Sequence, residues 1–229
     1  MTYVISDIHG EYELFMKLLE KIDYKEGDLL YVCGDFIDKG AQSVKLAKQL
    51  FSMPGAYCIR GNHEELFFRY YRAHMHSAIM DFDDILWHLQ RYFPEDGHLL
   101  DWDTVDRLAD LPYYLETDRF FCVHAGLSLD EQGNAMHPDF SEPEELIYTR
   151  RFKEPEVLPD LGKCVMFGHT PTSYLCNEPT ILTYGYGGLV QDATDVGALS
   201  KVHLDTGVGQ SGVLGCFRVE DCKTFYVSR

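Results

Sequence analysis

Apolar residues along this chain fall into two alternating rhythms. Residues 3–6, 29–33 and 56–60 are short β-prone runs. Between them, residues 11–22 carry Leu14, Phe15, Leu18, Leu19 and Ile22 at helical spacing, and Ser43–Ser52 sets Val44, Ala47, Leu50 and Phe51 on one face. Another helix is predicted to begin near His63. This βαβαβ order predicts parallel strands joined by right-handed crossovers. Residues 64–111 read as a helical subdomain rich in aromatics, Phe67, Phe68, Tyr70, Tyr71, Trp87, Tyr92, Phe93 and Trp102 among them. Most of these are expected in the core, with a minority free to line a substrate groove. Residues 113–117 and 120–124 predict a hairpin around Asp118-Arg119, Cys164–Phe167 a buried strand, and residues 202–206, 214–219 and 224–227 a closing antiparallel meander. Residues 170–202 lack periodicity; Tyr184-Gly185-Tyr186-Gly187-Gly188 within them reads as a surface hairpin ahead of a mobile flap.

Five polar motifs punctuate the apolar runs. They are Asp7-Ile8-His9-Gly10, Gly34-Asp35-Phe36-Ile37-Asp38-Lys39-Gly40, Gly61-Asn62-His63-Glu64, Val123-His124-Ala125-Gly126 and Gly168-His169-Thr170. In sheets of this kind ligands collect beyond the carboxyl ends of strands, where the first three motifs lie. Asp7 and His9 can converge after their strand, Asp35 can bridge two cations through its two oxygens, Asn62 offers a neutral oxygen, and His124 and His169 offer imidazole nitrogens. Mixed oxygen and nitrogen donors suit Mn²⁺, Fe or Zn²⁺ rather than a tetrahedral thiolate site. Two such ions share and activate a water for attack on phosphorus. His63 is the candidate proton donor, oriented by Asp38. Arg60 and Arg150 are candidates for clamping phosphate oxygens. Each motif alone is common by chance; five in order are not. The other histidines (His74, His76, His88, His98, His137 and His203) read as structural, with His203 the one placed to approach the site.

Composition narrows the reading. A chain of 229 residues is long enough for one large domain, 1–229. A net charge of −17 argues against nucleic-acid polymers as partners but not against a small phosphate ester, because bound cations dominate the local field. Seven cysteines without a paired spacing argue against a disulfide framework, and Cys33, Cys58, Cys122 and Cys164 read as small buried hydrophobes. No apolar stretch reaches a membrane span, and the start lacks signal-peptide character, so a cytoplasmic protein is expected.

With these motifs the chain resembles the metallophosphoesterase superfamily, and more narrowly its phosphoprotein phosphatase branch, which holds the bacteriophage lambda phosphatase and related bacterial serine/threonine phosphatases. The resemblance runs from Asp7 to Gly207. It implies an α/β fold, a four-layer α/β/β/α sandwich with the helical subdomain beside the catalytic face. It implies two divalent metal ions, usually Mn²⁺ or iron-containing pairs, one held by Asp7, His9 and Asp35, the other by Asp35, Asn62, His124 and His169. It makes His63 with Asp38 the acid pair and Arg60 and Arg150 phosphate ligands. Lys39 stands where the family has arginine, a point charge in place of a bidentate fork. The expected activity is hydrolysis of phosphoserine and phosphothreonine by direct attack of water. The alternative is symmetrical hydrolysis of diadenosine tetraphosphate. A silent binding module is the reading from outside enzymology, disfavoured by the intact ligand set.

Overall fold

A computed structural model of the chain describes residues 1–75 and 81–229. His76 and the part of the predicted helical region at 76–80 lie outside the described residues. The first half runs β1 (Thr2–Ile5), α1 (Tyr12–Lys21), β2 (Leu29–Val32), α2 (Ser43–Ser52), β3 (Ala56–Cys58), α3 (Asn62–Met75), α4 (Phe82–Gln90) and α5 (Trp102–Ala109). Then come β4 (Tyr114–Glu116), β5 (Phe120–Val123), α6 (Pro143–Tyr148), β6 (Cys164–Phe167), α7 (Ser173–Cys176), β7 (Leu182–Gly185) and β8 (Gly188–Val190). The chain closes with β9 (Leu199–His203), α8 (Val208–Ser211), β10 (Val213–Arg218) and β11 (Thr224–Ser228).

These strands form a five-stranded sheet, β11-β10-β1-β2-β3, and a six-stranded sheet, β4-β5-β6-β9-β7-β8. The predicted βαβαβ unit is present, with β1, β2 and β3 parallel. Three apolar clusters separate the layers. Leu14, Phe15 and Leu18 of α1 and Val44, Ala47 and Leu50 of α2 pack with Ile5 and Leu30 on the outer face of the first sheet. Val4, Cys33, Met166, Val202 and Phe217 fill the space between the sheets. Leu146 and Ile147 of α6 pack with Phe121, Val165 and Phe167 on the outer face of the second. The result is the expected α/β/β/α layering. Asp81 and Asp101 cap α4 and α5, accepting from the Asp84 and Thr104 backbone N–H groups.

The hairpin at 113–124 is β4 and β5, and Tyr184–Gly188 closes a second hairpin, β7 and β8. The predicted closing meander is split. β10 and β11 pair antiparallel in the first sheet, whereas β9 lies between β6 and β7 in the second, parallel to β6. All five residues of β9 are buried, so it needs the interior position that an edge of the first sheet lacks. All seven cysteines are free thiols; Cys33, Cys122, Cys164, Cys216 and Cys222 are buried, whereas Cys58, expected to be buried, is half-buried on the edge strand β3. Among the described residues no helix is long and apolar enough to cross a membrane.

Candidate metal centre

Each candidate donor follows the carboxyl end of a parallel strand. Asp7 and His9 come after β1, Asp35 after β2, His124 after β5 and His169 after β6, and Asn62 opens α3 after β3. Donors that follow strands of the two sheets converge, Asp35 of the first with His124 and His169 of the second. Nine non-glycine residues among those described have a positive φ, and six of them belong to the motifs: Asp7, His9, Asp35, Asp38, Lys39 and His169. Such conformations are costly for side chains with Cβ and cluster where a site over-determines the backbone. Two glycines serve the same convergence. A Cβ on Gly61 would strike the Asp35 carboxylate, and one on Gly168 would strike Ser6 Oγ and Asp7 Oδ2.

Asp35 is the hub of two donor groups, His9–Asp35–His63 and Asp35–His124–His169. Asn62 Oδ1 lies 3.0 Å from His124 Nε2 and 2.8 Å from His169 Nδ1. His9 Nε2 is 3.9 Å from both Asp7 Oδ1 and Asp35 Oδ2. These residues fit divalent cations, and the hydrogen bonds show why. His124 Nδ1 must donate to the Cys33 carbonyl at 2.8 Å, so Nε2 of a neutral ring is a bare lone pair. It faces Asp35 Oδ2 at 3.4 Å and the Asn62 oxygen, three acceptors that a shared divalent cation would satisfy. A proton is the substitute: burial works against the charge, yet Asp35 and Asp7 push His124 up to about 10. At His9, Nδ1 donates to the Ile37 carbonyl at 3.3 Å and the Lys39 ammonium stands 2.9 Å from Nε2, again a cation among donors. His169 Nε2 is buried with no partner.

Burial dominates the remaining electrostatics. It lowers His9 to about 4 and His169 to about 3, keeping both rings neutral and able to donate lone pairs. It raises Asp7 to about 6 against the pull of His124. At Asp35 burial is overcome by His124, His9 and His63, which hold the carboxyl well below its usual range. His63 Nδ1 donates to Asp38 Oδ2 at 2.7 Å, while its Nε2 lies 3.9 Å from Asp35 Oδ2. Burial disfavours its charge, but Asp38 and Asp35 outweigh burial and raise its pKa.

The three cations read from the sequence separate. Lys39 is exposed beside the donors. Arg150 is exposed just past α6, and its charge helps keep His169 deprotonated, so its field reaches the centre. Arg60 does not join them. Its guanidinium is buried, donating to Glu65 Oε2 at 2.8 Å and to the Ala109 carbonyl, with its Cζ 4.4 Å from the Phe68 ring centroid. A buried guanidinium needs a carboxylate, and Glu65 supplies it within the same helical turn region. His203 also stays structural, its Nε2 2.6 Å from the Thr170 carbonyl and its ring stacked on Phe167.

Two residues escaped the sequence reading. Glu64 is fully buried and accepts four backbone N–H groups, from Asp35 (2.8 Å), Phe36 (3.0 Å), Ile37 (3.1 Å) and Gly61 (2.8 Å). It thereby ties the Asp35 and Asn62 turns together. Its acidic type directly after Gly61-Asn62-His63 was the available signal. Asp205 follows β9, is buried, accepts from the Gly207 N–H at 2.7 Å, and lines the same cleft as Asp7 and His9. The Asp205-Thr206-Gly207 turn after a strand was its signal.

Comparison with known proteins bears on this centre. The family profile of calcineurin-like phosphoesterases matches residues 2–191. A symmetrical bis(5′-nucleosyl)-tetraphosphatase of Buchnera aphidicola subsp. Acyrthosiphon pisum (strain 5A) is 31% identical over 135 residues, 56% of this chain and 44% of that protein. The chain thus spans less than half the length of that relative. An asymmetrical bis(5′-nucleosyl)-tetraphosphatase, PrpE of Geobacillus sp. (strain WCH70), is 22% identical over 98% of this chain and 92% of its own. A solved structure provisionally described as a diadenosine tetraphosphatase superposes with a TM-score of 0.68 at 19% identity, covering 99% of this chain and 92% of that one, which establishes the shared fold.

These relatives overturn the order of activities read from the sequence. The phosphoserine/phosphothreonine phosphatase reading gives way, because relatives aligned over half to nearly all of the chain carry tetraphosphatase names. The physical reason is that the five motifs supply candidate metal donors and carry nothing of the leaving group, so they do not distinguish one phosphate ester from another. Donor geometry and profile agree: the chain belongs to the calcineurin-like phosphoesterase family.

Proposed function

We propose that this protein is a metal-dependent hydrolase of bis(5′-nucleosyl) tetraphosphates. The observation that carries the chemistry is the pair of donor groups sharing Asp35. The substrate class is drawn from the tetraphosphatase relatives. Residues 1–229 act as one unit in this reading, since the first sheet joins β1 to β10 and β11.

Asp7, His9 and Asp35 would hold one divalent ion, and Asp35, Asn62, His124 and His169 the other, with Mn²⁺, Fe or Zn²⁺ suited to the donors. When bound, such a pair polarises phosphoryl oxygens and lowers the pKa of water. The protein's own residues do the rest. Glu64 holds the Asp35 and Asn62 turns in register through its four N–H contacts. His63, its pKa raised through Asp38, delivers a proton from Nε2 to the departing oxygen. Lys39 and Arg150 stabilise the equatorial oxygens as charge builds on them. Cleavage of an anhydride releases a nucleotide, a weaker base than an alkoxide, so less is asked of His63 than by a phosphoserine.

The test is a substrate panel on Mn²⁺-loaded protein with His63→Asn as blank: diadenosine tetraphosphate, a phosphothreonine peptide and an aryl phosphate. Preferred turnover of the dinucleotide supports the reading, and the products assign its symmetry, two ADP for central cleavage or ATP and AMP for asymmetric cleavage. Preference for the peptide would sink it.

A further inference from the structure

We propose that the cleft opening from the donor cluster is the subsite for the part of the substrate beyond the reacting phosphorus, and that Arg229 is its specificity-determining cation; this rests on the dinucleotide reading above. The cleft encloses about 290 Å³ and its wall includes Asp7, His9 and His169, so a phosphoryl group held among those donors opens directly into it. That volume lies at the lower edge of small-molecule sites, roughly 300–1,000 Å³, and exceeds the need of a lone phosphate.

Its charges discriminate by ligand length. The wall carries three carboxyl groups, Asp7, Glu11 and Asp205, against two fixed cations, Lys39 and Arg229. A single phosphate held among the donors beside Lys39 lies short of the other cation in the wall, Arg229. A polyphosphate long enough to reach Arg229 gains a second cation. Arg229 is prepared for that contact. Its Nη2 is anchored to Glu11 Oε1 at 2.5 Å and to the Val208 carbonyl at 3.4 Å, and its backbone N–H donates to the Gly212 carbonyl at 3.0 Å. Its Nε and Nη1 make no hydrogen bond among the described residues, which leaves donors for a non-reacting phosphate. A Cβ at Gly209 would meet open space, and the Gln210 side chain is exposed beside it, leaving room and a polar amide for a nucleoside.

A second cleft also includes Lys39 and Gly40, with Tyr92 and Pro94 in its wall. Lys39 is its one cation, set against Asp38, Glu95 and Asp96, so it has no second positive group for a polyanion. The Arg229 cleft is favoured on that difference.

The experiment compares wild type, Arg229→Gln and Arg229→Lys, all Mn²⁺-loaded, on diadenosine tetraphosphate and on p-nitrophenyl phosphate, with calorimetric binding of a diadenosine tetraphosphate analogue in which methylene replaces all three bridging oxygens between phosphorus atoms, so that neither central nor asymmetric cleavage can consume it. Arg229→Gln is expected to raise KM for the dinucleotide about tenfold relative to its effect on the aryl phosphate, the scale of one charge-assisted hydrogen bond, and to weaken analogue binding equally. Arg229→Lys should recover part of both. If wild type turns over the dinucleotide and the KM ratio and analogue affinity do not move, the subsite is wrong while the proposed function stands. If wild type turns over the aryl phosphate but not the dinucleotide, both fall together.

Discussion

His63 donates from Nδ1 to Asp38 Oδ2 at 2.7 Å, while its other nitrogen faces Asp35. The contact joins two motifs separated by 25 residues, one in the turn after β2 and one in the first turn of α3. Because a carboxylate only accepts, it fixes the tautomer: the Nδ1 proton stays on Asp38's side and Nε2 is the exchanging atom. Removing Asp38 takes away the hydrogen bond that raises His63, so Asp38→Asn should lower kcat about 100-fold on an alkyl phosphate. The loss should be smaller on a dinucleotide tetraphosphate, whose leaving group needs less protonation. Equal losses on both substrates would remove His63 as proton donor.

Asp35 touches both donor groups, so its carboxylate is the element they share. Asp35→Asn removes the carboxylate's charge and one of its two oxygen donors and should drop bound Mn²⁺ from two ions per chain to one or none, read by elemental analysis after gel filtration. Chelation of wild type should abolish turnover, and Mn²⁺ should restore it. Retention of two ions by the variant would contradict a bridging role.

Glu64 accepts four backbone N–H groups with both oxygens and is fully buried. Glu64→Gln keeps one accepting oxygen and turns two donors toward backbone donors. The expected cost is about 3 kcal/mol of stability, since a buried donor left unpaired loses its desolvation compensation. Chemical denaturation with the metal-free proteins measures this apart from any effect on metal binding. A change below about 0.5 kcal/mol would mean the turns hold without it.

Lys201 is fully buried and donates to the carbonyls of Phe152 (2.8 Å) and Glu154 (2.7 Å), which binds the segment after Arg150 to β9. Burial pulls its pKa down to about 7 from 10.5, against the pull of Glu156 and Glu154. Between those values the unfolded chain binds a proton that the folded chain does not, so this group makes stability rise with pH from about 7 toward 10.5. Below pH 7 its full penalty is present. In Lys201→Met that contribution disappears, and the wild-type minus variant difference in Tm should grow in favour of wild type across this window. A pH-independent difference would show the lysine charged throughout.

The elements and the convergence of the candidate donors were legible in the residues, and the reason is local. Leu14, Phe15 and Leu18 form a helix face whatever lies opposite, and a strand that ends in Asp-x-His or Gly-Asn-His presents those side chains at its carboxyl end. The five motifs therefore marked which side chains would gather at one place before any contact was known. Strand partners were less legible. β9 looks like a neighbour of β10 in sequence, but its complete burial sends it to the second sheet between β6 and β7.

Long-range charge pairing was decided by the fold alone. Arg60 reads as a phosphate clamp by its position before Gly61, yet packing turns it inward onto Glu65. Arg229 lies 218 residues from Glu11 and becomes a cleft cation only when α8 and β11 bring it there. Glu64 shows its role only once four N–H groups from two turns converge on it. Residue type and spacing determine which atoms can bind a metal or move a proton. Which charges face the substrate depends on what each side chain meets across the sheets, because a buried charge goes to its nearest partner and that partner is set by tertiary contact.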